Sequence, residues 1–380
     1  MKIALICDVL GKPNNGTTLA TLNLMNYLKS QGHTVYVVSP DTSTEGKENY
    51  FVVPTLNLGA LINKVVARNN VSLAKADKRI LTSVISKADI VHLQLPFALS
   101  KGAVKIAKNL GKPITASFHC QAENFTAHIG AFNSRLINHL VYKNFYNKVY
   151  RYVDAVHYPT EFIRQVFYKH THIEKPYYVI SNGVNDDFFE KSQLPCKNGK
   201  FTIVCTGRYS KEKAQKVLIK AVAMSEYKDR IKIILAGDGP MKNVLARFAR
   251  KKCVDCELRF FNRNELISVL HNADLYVHTA IVEIEAIACM EAIASGLVAV
   301  IADSERSATR LFSVDERTSF KYNSPADLCR KIEFFYENPD YITEYKDKFK
   351  NTSLPFRQEN CMRQMEQMLK DVLEKGQNER

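Results

Sequence analysis

The sequence predicts an α/β fold of two domains, each wound about a parallel sheet. Three observations carry this. The chain has 380 residues at 46% hydrophobic content, enough for roughly two cores at the usual ~100–200 residues per domain. Short apolar runs alternate with amphipathic segments along the whole length, the pattern of parallel strands joined by crossover helices. Near the middle, residues 185–199 are irregular and polar, which places a boundary between a domain at 1–188 and a second beginning at 199.

The first half opens on a buried strand, Lys2 to Asp8. A Gly loop follows (Gly11 to Thr18), with Thr17 or Thr18 available to cap a helix whose apolar face is Leu19, Leu22, Met25 and Leu28. Residues 32–40 give the second strand. No G-x-G-x-x-G is present, so a dinucleotide fingerprint is not supported. Residues 57–87 interleave apolar side chains with Lys64, Arg68, Lys75, Lys78 and Arg79 and read as one or two amphipathic helices. Asp89 to Pro96 is a buried strand. Lys112 to His119 is another, and it ends in a His at the strand edge that faces ligands in open parallel sheets. Residues 154–160 and 176–184 are the last strands of this half.

In the second half, Lys200 to Gly207 is a strand ending in Gly, followed by Arg208 and, five residues later, Lys213 at a helix start. Two cations beside a Gly at such a place suit a diphosphate without a metal. Arg230 to Pro240 is a strand, a Gly turn (Gly237, Gly239) and a helix start. Glu257 to Arg263 is a strand leading into a loop at Asn262 and Arg263. Ala273 to His278 is the strand that delivers Glu283, and Ser324 with Pro325 opens a late helix.

The centre of the functional reading is Glu283-Ile-Glu-Ala-Ile-Ala-Cys-Met-Glu291, closed by Gly296 and followed by the apolar run Leu297 to Ile301. Were all of 283–291 helical, the two Glu would sit about 80° apart around the axis and about 12 Å along it, poorly placed for one ligand. With Glu283 in a loop and Glu291 in the helix, both reach one extended ligand. Backbone N–H groups near Ile284, Glu285, Ala286 and Ile287 then present the positive end of the helix dipole to it. A diphosphate flanked by sugars fits such a site.

Glu-x7-Glu followed by Ala-x-Ala-x-Gly resembles the signature of the retaining glycosyltransferases of family 4. Other elements are similar to that family too: the first Gly loop with Gly16, Ser117-Phe118-His119, Ser181 to Val184, Gly207-Arg208-x4-Lys213, and Gly237-x-Gly239-Pro240. The resemblance implies the GT-B fold, two Rossmann-like domains facing a central cleft, with the tail helix (about 356–380) crossing back to the N-terminal domain. The C-terminal domain then ends near 355. It implies sugar transfer from a nucleotide-sugar, a UDP-sugar such as UDP-glucose, with retention of configuration. Arg208 and Lys213 serve the leaving diphosphate, Glu283 and His119 the transferred sugar, Glu291 the ribose, and the Asn262–Arg263 loop the base. Two positions depart from the family. Ala214 replaces the Gly after Lys213, and Ile284-Glu285-Ala286 lacks the Gly that lets backbone approach the sugar. Glu285 either binds a sugar hydroxyl or faces solvent.

Charge bears on the acceptor. The net charge is +14, and residues 101–152 hold eight Lys/Arg against one acid, Glu123. Residues 130–152 are also rich in Tyr and Phe, which suits a membrane interface as well as an ordinary half-solvated helix. A lipid acceptor, diacylglycerol or a lipid-linked glycan, fits an enzyme resting on an anionic membrane surface. A soluble glycan is the alternative, with a nucleotide-sugar epimerase or a nucleic-acid-binding protein as readings outside the class. No nucleic-acid motif accompanies the basic region, so no nucleic-acid partner is expected. No 18-residue apolar run is present, the first residues turn acidic too early for a signal peptide, and nine scattered Cys suit a reducing compartment. The expected location is the cytoplasm, peripheral on the inner face of the cell membrane. A lone CxxC (Cys253, Cys256) and the absence of Asp-x-Asp predict no metal and no cofactor.

Overall fold

The computed structural model describes residues 1–10, 16–56, 73–127, 133–190 and 199–378. The chain divides into two compact units, Met1–Asn182 with Glu359–Arg380, and Gly183–Gln358.

Among the described residues the first unit holds a seven-stranded parallel sheet of β1 (Lys2–Ile6), β2 (Thr34–Ser39), β3 (Tyr50–Val52), β4 (Ile90–Leu93), β5 (Ile114–Ser117), β6 (Ala155–Tyr158) and β7 (Tyr177–Val179), in the order β3-β2-β1-β4-β5-β6-β7. The second holds β8 (Phe201–Thr206), β9 (Ile231–Ala236), β10 (Cys256–Arg259), β11 (Leu275–His278), β12 (Ala299–Asp303) and β13 (Ser319–Lys321), in the order β10-β9-β8-β11-β12-β13. Every pair is parallel, with Ile6 opposite both Val38 and Leu93, and Thr206 opposite Ala236. Helices cover the sheets, so central strands such as β1 and β12 are continuous apolar runs. Both orders reverse direction beside the first strand of their unit, β1 or β8. Ligands of open α/β sheets gather at the C-terminal ends of such strands.

The tail helix, Gln358–Asn378, completes the core of the first unit. Cys361, Met362, Met365, Met368, Leu369 and Val372 pack with Ile3, Leu5, Leu24, Leu28 and Val35. Polar contacts fix its rotation: Glu366 takes His33 Nε2 at 2.8 Å, and Tyr178 donates to Asp371 at 3.1 Å.

Some local expectations are corrected. The first helix runs Gly16–Ser30, so Thr17 and Thr18 lie inside it rather than capping it, and the Thr21 hydroxyl bonds back to Thr17 O. Lys213 stands in a 3-10 turn, Lys211–Lys213, and the α-helix begins only at Lys216. The edge strands β3 and β13 have three residues each, too few to show an alternating pattern. The basic aromatic segment forms a helix at Arg135–Lys148 and a turn at Tyr150–Tyr152. Residues 57–72 of the expected amphipathic stretch and 128–132 of the basic one lie outside the described residues. Ser324 caps Pro325–Glu337 as expected, accepting from Asp327 N.

Candidate functional site

In the second unit the candidate residues follow the C-terminal ends of β8, β9, β10 and β11. The loops after β8 and β9 are stitched together: Gly207 N donates to Ala236 O, Tyr209 N to Asp238 O and Met241 N to Tyr209 O. Gly237 is required by this packing, since a Cβ there would stand 2.1 Å from the Gly207 carbonyl oxygen. Gly207 has φ +137°, outside the range of other residues. Its turn places Arg208, which is partly buried and whose pKa burial lowers. The Arg208 carbonyl accepts from Gln215 Nε2 at 2.8 Å, and Gln215 is buried.

Glu283 lies outside any helix. It is bridged to the chain at Ser307, with Ala308 N donating to its carbonyl at 2.9 Å. The α-helix is Ile287–Ala294 and carries Glu291. One carboxylate thus stands in a loop and the other in a helix, the arrangement that lets both serve one extended ligand. The helix begins at Ile287, so of the four residues expected at its positive end Ile284 and Glu285 precede it and Ala286 is its N-cap. Glu285 is 4% exposed, so the solvent-facing alternative is overturned.

Glu283 is ion-paired with Lys213, and His278 Nε2 lies 3.3 Å from the same oxygen. Burial alone would raise the Glu283 pKa. The Lys213 charge, followed by His278, overrides it and holds the carboxyl at about 2. Thr279 fixes the lysine's backbone, its hydroxyl donating to Lys213 O at 2.6 Å. Glu291 shows the opposite balance. Burial lifts its pKa to about 7, opposed by the charge of Arg263.

Both departures from the family's glycines hold glycine's conformation. Ala214 has φ +51° and Ala286 has φ +62°, each left-handed. This conformation costs a non-glycine residue roughly 1–2 kcal/mol, while Gly loses about 0.5–1 kcal/mol more on ordering. Ala214→Gly and Ala286→Gly are each expected to stabilise the protein by about 0.5–1 kcal/mol. Melting temperature reads this, with a rise of about 1–3 °C.

Asn262 is the N-cap of Arg263–His271 in a capping box with Glu265. Its side chain is therefore used by the fold, leaving backbone as what this loop can offer a base. Arg263 Nη1 lies 3.7 Å from Asp187.

In the first unit, Gly16 is the exposed first residue of its helix, and a Cβ there would meet nothing within 4 Å. The closeness that would demand Gly is not visible among the described residues. His119 follows β5, partly exposed, its ring edge-on to His157 at 5.7 Å. Burial and two neighbouring imidazoles hold its pKa well below the ordinary value, so it is a neutral group.

Behind His119 runs a buried row that sequence reasoning missed. His157 Nε2 bonds Ile180 O at 2.6 Å, Ser117 Oγ bonds His157 Nδ1 at 2.8 Å and His92 Nε2 at 3.1 Å, and Thr115 Oγ1 bonds His92 Nδ1 at 2.8 Å. The carbonyl can only accept, so every donor is fixed: Thr115 to His92, to Ser117, to His157, to Ile180 O. Asp8 was also missed as a site residue. It accepts from Leu99 N and Ser100 Oγ, both at 2.8 Å, holding the start of Ala98–Asn109 from the turn after β1. Burial lifts its pKa to about 7. The signal for these residues was only their place at or near strand ends.

Among the described residues no His, Cys, Asp or Glu group suits a metal ion, and no helix is long and apolar enough to cross a membrane.

Residues 14–188 match the family described as Glycosyltransferase Family 4, and residues 186–353 match Glycosyl transferases group 1. An alpha-monoglucosyldiacylglycerol synthase of Streptococcus pneumoniae is 26% identical over 90% of this chain and 79% of its own. One of Acholeplasma laidlawii is 21% identical over 99% of this chain and 98% of its own. Among solved structures, Anabaena Alr3699/HepE in complex with UDP is similar at a TM-score of 0.76, with 15% identity, over 98% of this chain and 100% of that one.

Proposed function

This chain belongs to the family 4 glycosyltransferases of the GT-B fold and transfers a sugar from a nucleotide-sugar donor, and from that premise we propose that it moves a hexose from a UDP-sugar onto a membrane lipid, with retention of configuration. In the reaction the bond from the sugar's anomeric carbon to the β-phosphate oxygen breaks, and its electron pair leaves with the diphosphate. The acceptor oxygen bonds to the anomeric carbon, and its proton passes to the departing phosphate oxygen. No side chain has to act as a conventional base. Arg208, Lys213 and the start of Ile287–Ala294 stabilise the departing charge. Glu283 holds the sugar, and Glu291 accepts the ribose hydroxyls.

The lipid acceptor rests on one observation above the rest. On the helix Arg135–Lys148, Leu136 is 69% exposed and Leu140 56%, one turn apart, with Arg135 and Lys143 beside them and Tyr142 and Phe145 buried on the far side. An apolar stripe flanked by cations suits the boundary between headgroups and acyl chains of an anionic leaflet. The relatives' name, alpha-monoglucosyldiacylglycerol synthase, supports an acceptor of this class. The enzyme then works as a peripheral protein on the inner face of the cell membrane.

Sedimentation with vesicles of phosphatidylglycerol, with phosphatidylcholine as control, tests the docking. Binding to the anionic vesicles is expected, falling about tenfold for Leu136→Glu and again for Leu140→Glu, in line with the burial of one large aliphatic side chain each. Transfer from UDP-glucose is then assayed on diacylglycerol, a sterol and a lipid-linked glycan in those vesicles, against soluble glycans. Salt-independent absence of binding, with transfer confined to soluble glycans, overturns the proposal.

A further inference from the structure

The Glu283 carboxylate is approached by two cation-forming side chains. Lys213 is one, and the proposed transfer requires that ammonium at the leaving diphosphate. His278 is the other. It is 2% exposed at the end of β11, with Nε2 at 3.3 Å from the carboxylate but out of line for a hydrogen bond. Its far side is fixed by a row of hydroxyls: Tyr276 OH lies 3.2 Å from His278 Nδ1, and Thr206 Oγ1 lies 2.7 Å from Tyr276 OH.

A carboxylate can only accept, so an N–H at Nε2 is what can serve it. Behind the ring, Tyr276 OH sits between Nδ1 and Thr206 Oγ1, and the Thr206 hydroxyl also reaches Ala288 O at 3.4 Å, so the row holds the ring with Nε2 facing Glu283. The family resemblance drew attention to Glu283 and Lys213 but to neither His278 nor Tyr276.

We propose that His278 is a positioning residue that takes over Glu283 when Lys213 turns to the diphosphate, keeping the carboxylate ionised and aimed at the sugar. The inference rests on the donor-site reading of Lys213 and Glu283. Without a second partner, the lysine could leave only by stranding a buried charge, and it would stay paired with Glu283 instead.

The test uses the full-length enzyme and four variants: His278→Phe, which keeps the ring's bulk, His278→Gln, which restores an N–H donor, Tyr276→Phe, and the double variant of Tyr276→Phe with His278→Gln. His278→Phe is expected to lower kcat at least tenfold and to weaken UDP inhibition, and His278→Gln to recover most of both. Tyr276→Phe is expected to lower kcat a few-fold in the wild type and not at all beside His278→Gln, the non-additivity of groups acting in one row. Unchanged kcat and UDP inhibition in His278→Phe overturn the proposal. Equal losses in His278→Phe and His278→Gln, or an equal cost of Tyr276→Phe in both backgrounds, also overturn it, and this last comparison stands even if the Phe variant does not fold. The donor-site reading fails separately, if Lys213→Met and Glu283→Gln keep full transfer.

Discussion

Lys213→Met is expected to lower kcat about 10²–10³-fold, the usual cost of removing one preorganised group that meets charge developing in a transition state. The position of the ammonium is built by the fold. Lys213 O accepts from the Thr279 hydroxyl, and the side chain ends on Glu283. The backbone is fixed in advance, and what remains is for the ammonium to turn from Glu283 to the diphosphate. Loss of the lysine also changes Glu283, whose carboxyl is held at about 2 chiefly by Lys213 against its own burial. With the lysine gone that pKa rises. The acid limb of the activity profile therefore moves to higher pH in whatever activity remains. Stability moves as well, because a carboxyl depressed in the folded state stabilises the fold above its ordinary pKa and loses that contribution as pH falls toward the depressed value. The variant forfeits this contribution at neutral pH, at about 1–3 kcal/mol for a partly exposed pair. The double variant Lys213→Met with Glu283→Gln is expected to regain much of the melting temperature and none of the transfer. A Lys213→Met enzyme with wild-type kcat on UDP-glucose sinks the leaving-group role.

The parts of this site that the sequence disclosed are those that local pattern determines. A strand end, a Gly and two cations at 206–213 lie close together in the chain, and so do Glu283 and the helix that carries Glu291. The buried strands were legible because a parallel sheet covered on both faces leaves uninterrupted apolar runs, as in Ile3 to Ile6 and Val298 to Ile301. What was not legible depends on neighbours distant in the chain. His92, Ser117 and His157 form a row only because β4, β5 and β6 are adjacent, and Thr206 meets Tyr276 only because β8 pairs β11. Asp8 holds the start of a helix that begins ninety residues later. The left-handed Ala214 and Ala286 are a different case: propensity argues against alanine there, and the surrounding turn imposes the conformation. Burial of Glu285 was open for a similar reason, since no local pattern decides whether a polar residue before a helix faces in or out.

Glu291 supplies the last expected result, a pH dependence in two observables of opposite sign. Its carboxyl titrates at about 7 in the fold, because burial outweighs Arg263, against 4.5 for the ordinary group. A carboxyl raised in the folded state keeps its proton where the unfolded chain has lost it. The unliganded protein is therefore expected to lose stability as pH rises from about 4.5 to 7, and not beyond, by up to about 3 kcal/mol from this group. Glu291→Gln removes that loss and is expected to melt higher than the wild type at pH 8 and equally at pH 4.5. Nucleotide binding runs the other way. A ribose diol donates two hydrogen bonds and is best received by the ionised carboxylate. UDP affinity in the wild type should fall as pH drops below 7, approaching tenfold per unit. Glu291→Gln should bind about 10²-fold more weakly at pH 8, the loss of two hydrogen bonds to a charged group, with little change down to pH 6. Titration calorimetry of UDP at pH 6, 7 and 8, beside melting curves without ligand, separates the two effects. A wild-type affinity that is flat across this range, or a Gln variant that keeps the wild-type slope, removes Glu291 from the ribose and leaves its buried carboxyl as a cost to the fold alone.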